Sequence, residues 1–195
     1  MNKNSRKKQI TKYEISQNII NKISKNHLIP IIKVEELNDG KNNLVDLLEE
    51  FDDMSSQLDS KSISPYDFTE YLYTLCTENL EMPIFREIKN YQLNPFETYF
   101  FLDMIWDAIC CGNNDFNTNI QSTVDDFFST KSSAIHFQKM VINEETKLSK
   151  CHLMELSQEN FKNNKKAKLS KKVIDFLREN EGLNINEISG GNSKL

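Results

Sequence analysis

Six lysines make the densest eleven-residue run of like charge in this 195-residue sequence: Lys162, Lys165, Lys166, Lys168, Lys171 and Lys172, with no acid among them. Such a cluster makes salt-dependent contacts to phosphates, because each ammonium releases a condensed counterion, and it can equally meet an acidic protein surface. Other chemistry is thin. A Cys–His metal centre would draw on Cys151, His152 and His136, yet structural zinc sites use two close ligand pairs and only one is present. A nucleophile couple built from Cys151 or Cys111 and a histidine lacks the glycine-flanked turn at a helix start that activates a thiol. Asp52-Asp53 and Asp125-Asp126 read as solvated acids on helix faces rather than paired catalytic carboxylates. No G-x-x-x-x-G-K-[ST], G-x-G-x-x-G or G-x-S-x-G occurs, and five glycines, two of them Gly190-Gly191, leave little material for a phosphate-cradling loop. The sequence predicts no catalytic residue, no cofactor and no metal: the chain is expected not to be an enzyme.

The elements that must position the lysines lie between residues 133 and 180. Ile135, Phe137, Met140 and Val141 fall largely on one side of a helix predicted over residues 133–146. The apolar second half of residues 147–156 is too short for a helix and is bounded by Ser157-Gln158-Glu159-Asn160, so it reads as a strand. Phe161 leads into Lys162-Asn163-Asn164-Lys165-Lys166, a tip of turn-formers and charge, before Ala167-Lys168-Leu169 returns to the core. The result is a hairpin with a basic loop. Ser170 is placed to accept the free N–H groups of the next helix, whose buried stripe is Val173, Ile174, Phe176 and Leu177, with Gly182 beyond its end.

Helix, strand, charged loop, strand, helix is the order of the second half of a winged-helix domain, the loop being the wing. The run from Leu148 through Lys150, Leu153, Glu155 and Leu156, then Phe161, then Leu169-Ser170-Lys171-Lys172-Val173, resembles the winged-helix segment that precedes the ATPase module in bacterial AAA-type ATPases, with its L-x-K-x-x-L-x-E-L … F … L-[ST]-x-K-[AV] pattern. The resemblance covers roughly residues 94–180. It implies a non-catalytic accessory or substrate/partner-binding region whose partner is an AAA-type ATPase module, in cis or in trans. The alternative is a winged-helix DNA-binding regulator that uses the six wing lysines as contacts. The helix over residues 133–146 speaks against base reading, since it offers Glu144, Glu145, one lysine, Lys139, and no arginine.

Composition bounds the rest. A formal net charge of −5 and a pI near 5.3 exclude a surface adapted throughout to nucleic acid. No stretch approaches the ~20 apolar residues that span a bilayer and no apolar signal core follows the basic start, so a cytoplasmic protein off the membrane, with reduced, buried thiols, is expected. Residues 1–12, with Lys3, Arg6, Lys7, Lys8 and Lys12, read as a flexible basic leader. Residues 13–60 read as a helical N-terminal portion: Ile15, Ile19 and Ile23 mark one helix, Pro30 confines residues 27–34 to an edge strand or linker, and Asn42 or Asn43 caps a helix carrying Leu44, Leu47, Leu48 and Phe51. Periodicity fades over residues 52–64, the expected internal boundary. Residues 61–182 form the helical, winged-helix-like domain. In it Phe68, Leu72, Leu75 and Cys76 share one face, Asn94-Pro95-Phe96-Glu97 opens a central helix over residues 98–111 with Trp106 buried, and Ile120, Val124, Phe127 and Phe128 define another. Residues 183–195 look like a linker. The expected fold class is mostly α, with a small β-hairpin wing.

Overall fold

Asn43 begins the described chain as a helix cap, its side-chain oxygen accepting the Asp46 N–H at 3.0 Å. The computed structural model describes residues 43–113, 117–157 and 165–185. By its contacts the chain divides between Asn42 and Asn43, and every described residue belongs to the second unit. The expectations for residues 1–42, for Phe116, for Phe161 and for Lys162 lie outside the described residues.

Helix α1 (Leu44–Asp59) runs into the segment of the expected boundary, residues 52–64, and ends within it. Met54, partly buried, and Leu58, buried, continue the stripe of Leu44, Leu47, Leu48 and Phe51 at helical steps, so α1 joins the core of the helices that follow instead of a separate portion. Helix α2 (Pro65–Glu78) starts as anticipated: Ser64 accepts the Asp67 N–H at 3.2 Å and Pro65 takes the first turn, where its missing N–H costs nothing. Phe68, Leu72 and Leu75 are its buried face, while Cys76 is half-buried. Helix α3 (Pro83–Asn90), buried through Ile84, Phe85 and Ile88, was not foreseen.

Helix α4 (Pro95–Cys111) is the centre, touching α1, α2 and the elements on its far side, and burying Tyr99, Phe100, Phe101, Leu102, Met104, Ile105 and Ala108. Its less buried arc is Asp103, Trp106 and Asp107, all half-buried, and Cys110, exposed, spaced three, one and three apart. Trp106 is therefore only partly buried, contrary to expectation, and Cys110 and Cys111 are exposed rather than buried thiols. Gly112 ends α4 at φ +78°, a backbone region that residues with a Cβ disfavour.

Beyond it come β1 (Thr118–Asn119), α5 (Ile120–Phe127), α6 (Lys131–Ile142), α7 (Lys147–Lys150), β2 (Met154–Leu156), β3 (Lys166–Leu169) and α8 (Lys171–Glu181). The fold is mostly helical with a small three-stranded antiparallel sheet in the order β1-β3-β2. Thr118 pairs with Ala167, and Met154, Glu155 and Leu156 pair with Leu169, Lys168 and Ala167. Ala167 and Leu169 turn inward under α4 while Lys166 and Lys168 turn away, the two-residue alternation of a strand with one buried face. The expected hairpin is present; β1, too short to show a period, is new.

Two local expectations change. Helix α6 stops at Ile142 because Glu144 adopts φ +59°, and Thr146 then caps the separate turn α7 by accepting the Ser149 N–H. Its buried stripe is Ala134, Phe137 and Val141, leaving Ile135 outside. Ser170 does not cap α8 through its side chain: its hydroxyl donates to the His152 carbonyl at 2.7 Å, tying α8 to the turn before β2. Gly182 closes α8 in the left-handed conformation, and Ile185 is buried, so the segment expected to be a linker begins on the core.

Candidate functional site

Strand β3, Lys165 just before it and the first turn of α8 carry the described lysines of the expected wing, and their directions divide them. Lys168 lies across from Glu155 in the ladder and pairs with it at 3.7 Å, so the cluster does face an acid. Lys172, exposed, lies over the Tyr91 ring, 5.0 Å from its centroid, donating to the Tyr91 hydroxyl at 2.8 Å and to the Cys151 carbonyl at 3.3 Å. It braces α3 against α8. Lys165 is half-exposed, and Lys166 and Lys171 are exposed. The six charges read as one patch in the sequence thus include two spent on the fold and one, Lys162, outside the described residues. Lys171 and Lys172 occupy the first turn of α8, where the helix dipole opposes positive charge, and no acid offsets them there.

The residues of the suggested Cys–His chemistry do not assemble. Among the described residues no group of three or more His, Cys, Asp or Glu side chains is disposed to hold a metal ion. His152 sits at φ +55° in the turn before β2, exposed, and Cys151 beside it is half-buried.

A carboxylate cluster not expected from the sequence lies on the half-buried arc of α4 that faces α5 and β1. Asp103 accepts from the Thr123 hydroxyl at 2.9 Å and Asp107 from the Thr118 hydroxyl at 2.5 Å, so two acids one turn apart clamp α4 to α5 and to β1. Burial pushes the Asp103 carboxyl up to about 7, helped by the nearby charges of Asp107, Asp126 and Asp52 and opposed by the Thr123 hydrogen bond. Burial also raises Asp107. Asp126 is pushed up to about 6 by burial and by Asp59 beside it. Asp125 and Asp53 are exposed, as expected of helix-face acids, whereas Asp52 and Asp126 are half-buried. The legible signal was the presence of Asp103 and Asp107, four apart, in the most apolar helix of the chain. Asp103 and Asp107 line neither the grooves beside α6 nor those beside α3, so what they can do is hold α4, β1 and α5 together, with Asp103 taking up a proton near neutral pH.

Those grooves are the other feature of the surface. One, of about 850 Å³, runs between the end of α1 and α6 and is floored by Leu58, Ile63, Phe128 and Ala134. A second, of about 720 Å³, lies on the other side of α6, lined by Tyr66, Phe96, Phe128, Phe137 and Met140. The Phe96 and Phe128 rings stack at 4.3 Å, and both pack on Phe127. Comparison with protein-family models, with curated proteins and with solved structures returned no match.

Proposed function

We propose that roughly residues 94–180 form a winged-helix-like module that acts as a non-catalytic, partner-binding region for an AAA-type ATPase module, in cis or in trans. The observation that carries this reading is the interleaving of strands and helices: α4, β1, α5, α6, then the β2–β3 hairpin, with β3 lying between β1 and β2. That order brings an early strand beside the hairpin and supports reading α6, the helix before the hairpin, as the counterpart of a recognition helix. The residues behind the resemblance support it in a second way. Leu148, Leu153, Leu169 and Val173 are buried, and Ser170 and Lys172 both bond to the turn at Cys151-His152. The pattern therefore describes how a hairpin is fastened to a helical core.

Partner binding is favoured over DNA binding because the outward face of α6 presents Ser132, Ile135, His136 and Lys139, a poor set for reading base edges. Lys168 and Lys172 are also engaged within the fold. The rival reading, a DNA-binding regulator, rests on the exposure of Lys166 and Lys171. Fluorescence anisotropy with labelled duplexes at physiological salt separates the two. The expected result is weak, sequence-indifferent binding, with a dissociation constant no tighter than ~10⁻⁶ M. A nanomolar, sequence-selective complex abolished by Lys165→Glu, Lys166→Glu and Lys171→Glu together would move the regulator to first place. On the ATPase side, the chain alone is expected to turn over no ATP and to change the turnover of an AAA-type ATPase from the same source. Turnover by the chain alone, abolished by a point change in it, contradicts the accessory role.

A further inference from the structure

Helix α6 forms a ridge with a groove on either side. Ile135 leads the ridge at 50% exposure, and Tyr66, at 70%, stands on the rim of the second groove. These are two of the large apolar side chains that the described surface leaves in water, and Pro65, Phe128 and Ser129 line both grooves, so the apolar surface is continuous beneath them. The rim of the first groove carries Asp59, Asp125 and Asp126 together with Lys61 and Lys131. The ion pairs among the described residues are Lys168–Glu155 and Arg178–Asp175, so the acids and bases of this rim do not neutralise one another within one chain.

A ridge beside a groove, with both signs of charge on the rim, supplies the parts of an isologous contact, in which one patch meets its own copy across a twofold axis. We propose that this face is an isologous contact between two copies of the chain. Ile135 of each copy seats in the first groove of the other, against Leu58, Ile63 and Phe128. Lys61 and Lys131 of each copy face Asp125 and Asp126 of the other. Other occupants match less of the surface: a nucleic acid would bring phosphates to three aspartates, and a basic peptide would leave Lys61 and Lys131 without counter-charges. A second copy supplies both signs and the apolar knob at once. The contact needs no ATPase partner and stands or falls separately from one.

Light scattering of the full chain against concentration tests it. The expected result is a monomer–dimer equilibrium with a dissociation constant of about 1–100 µM, weaker at high salt because rim charges are screened. Ile135→Asp, at an exposed position, should leave the circular dichroism spectrum unchanged and weaken association by at least about tenfold. Lys131→Asp and Asp125→Lys should each weaken it by placing like charges across the contact, and an equimolar mixture of the two variants should restore it. A chain that stays monomeric up to roughly 100 µM overturns the proposal and leaves the face to a protein of different sequence. So does a dimer indifferent to Ile135→Asp, or a mixture no tighter than its components.

Discussion

Replacing Asp103 with asparagine tests how the carboxylate stripe of α4 is held. The side chain accepts from Thr123 at 2.9 Å, and asparagine keeps an oxygen for that bond while removing the charge. The carboxyl titrates at 3.8 in the unfolded reference and near 7 in the folded protein, because burial and the neighbouring acids disfavour its charged form. The folded state therefore holds this proton more tightly than the unfolded state between those two values, and stability falls as pH rises through that window. Three pKa units correspond to about 4 kcal/mol at 1.36 kcal/mol each, a ceiling that residual contact with water lowers to roughly 2 kcal/mol. Asp103→Asn should match the parent in urea unfolding near pH 4 and exceed it by about 2 kcal/mol near pH 8, at constant ionic strength. A variant that is destabilised equally at both pH values would refute the reasoning, because the side chain would then be valued for its charge or shape and not strained by ionisation.

Glu97 is buried at 2% exposure, accepting the Asn94 N–H at 3.0 Å and the Lys147 N–H at 2.8 Å, so Glu97→Ala strands two donors and should cost about 2–5 kcal/mol in denaturant unfolding. Gly182 sits at φ +69° with nothing within 4 Å of an added Cβ, so Gly182→Ala should cost about 1 kcal/mol through backbone strain alone, read as a drop of a few degrees in Tm.

What was legible in the sequence was whatever is decided locally. Ser64-Pro65 and Asn94-Pro95 announced α2 and α4 because cap, proline and first-turn acid lie within four residues, and the hairpin was visible because Ala167 and Leu169 alternate with lysines. What escaped was decided at a distance. Trp106 and Ile135 carry strong apolar signals, but which arc of α4 or α6 faces outward is set by the neighbouring helices. The two residues of β1 acquire strand character by pairing with Asn119↔Lys166 and Thr118↔Ala167, contacts almost fifty residues away in sequence. The wing lysines were counted as one patch because composition records charge and not direction; Lys172 points at Tyr91, and Lys168 meets Glu155. The partners of Asp103 and Asp107 escaped for a related reason, since Thr118 and Thr123 reach them only once β1 and α5 lie against α4.

Helix α3 was the largest element missed, and its N-terminus explains why. Met82 offers no capping side chain; the Ile84 N–H donates instead to a Glu181 carboxylate oxygen at 2.8 Å, ninety-seven residues further on. Burial raises the Glu181 carboxyl, while the Ile84 bond and the Arg86 charge lower it, so a real electrostatic cost is accepted for this one contact. During synthesis at about 5–20 residues per second, α3 must wait roughly 5–20 s for its cap to be made. The strand β3, which closes the sheet beneath α4, is translated in the same late interval. A growing chain therefore carries Ile84, Phe85 and Ile88 without their finished surroundings while the ninety-seven residues from Ile84 to Glu181 are added, and a chain cut short before Glu181 leaves them that way.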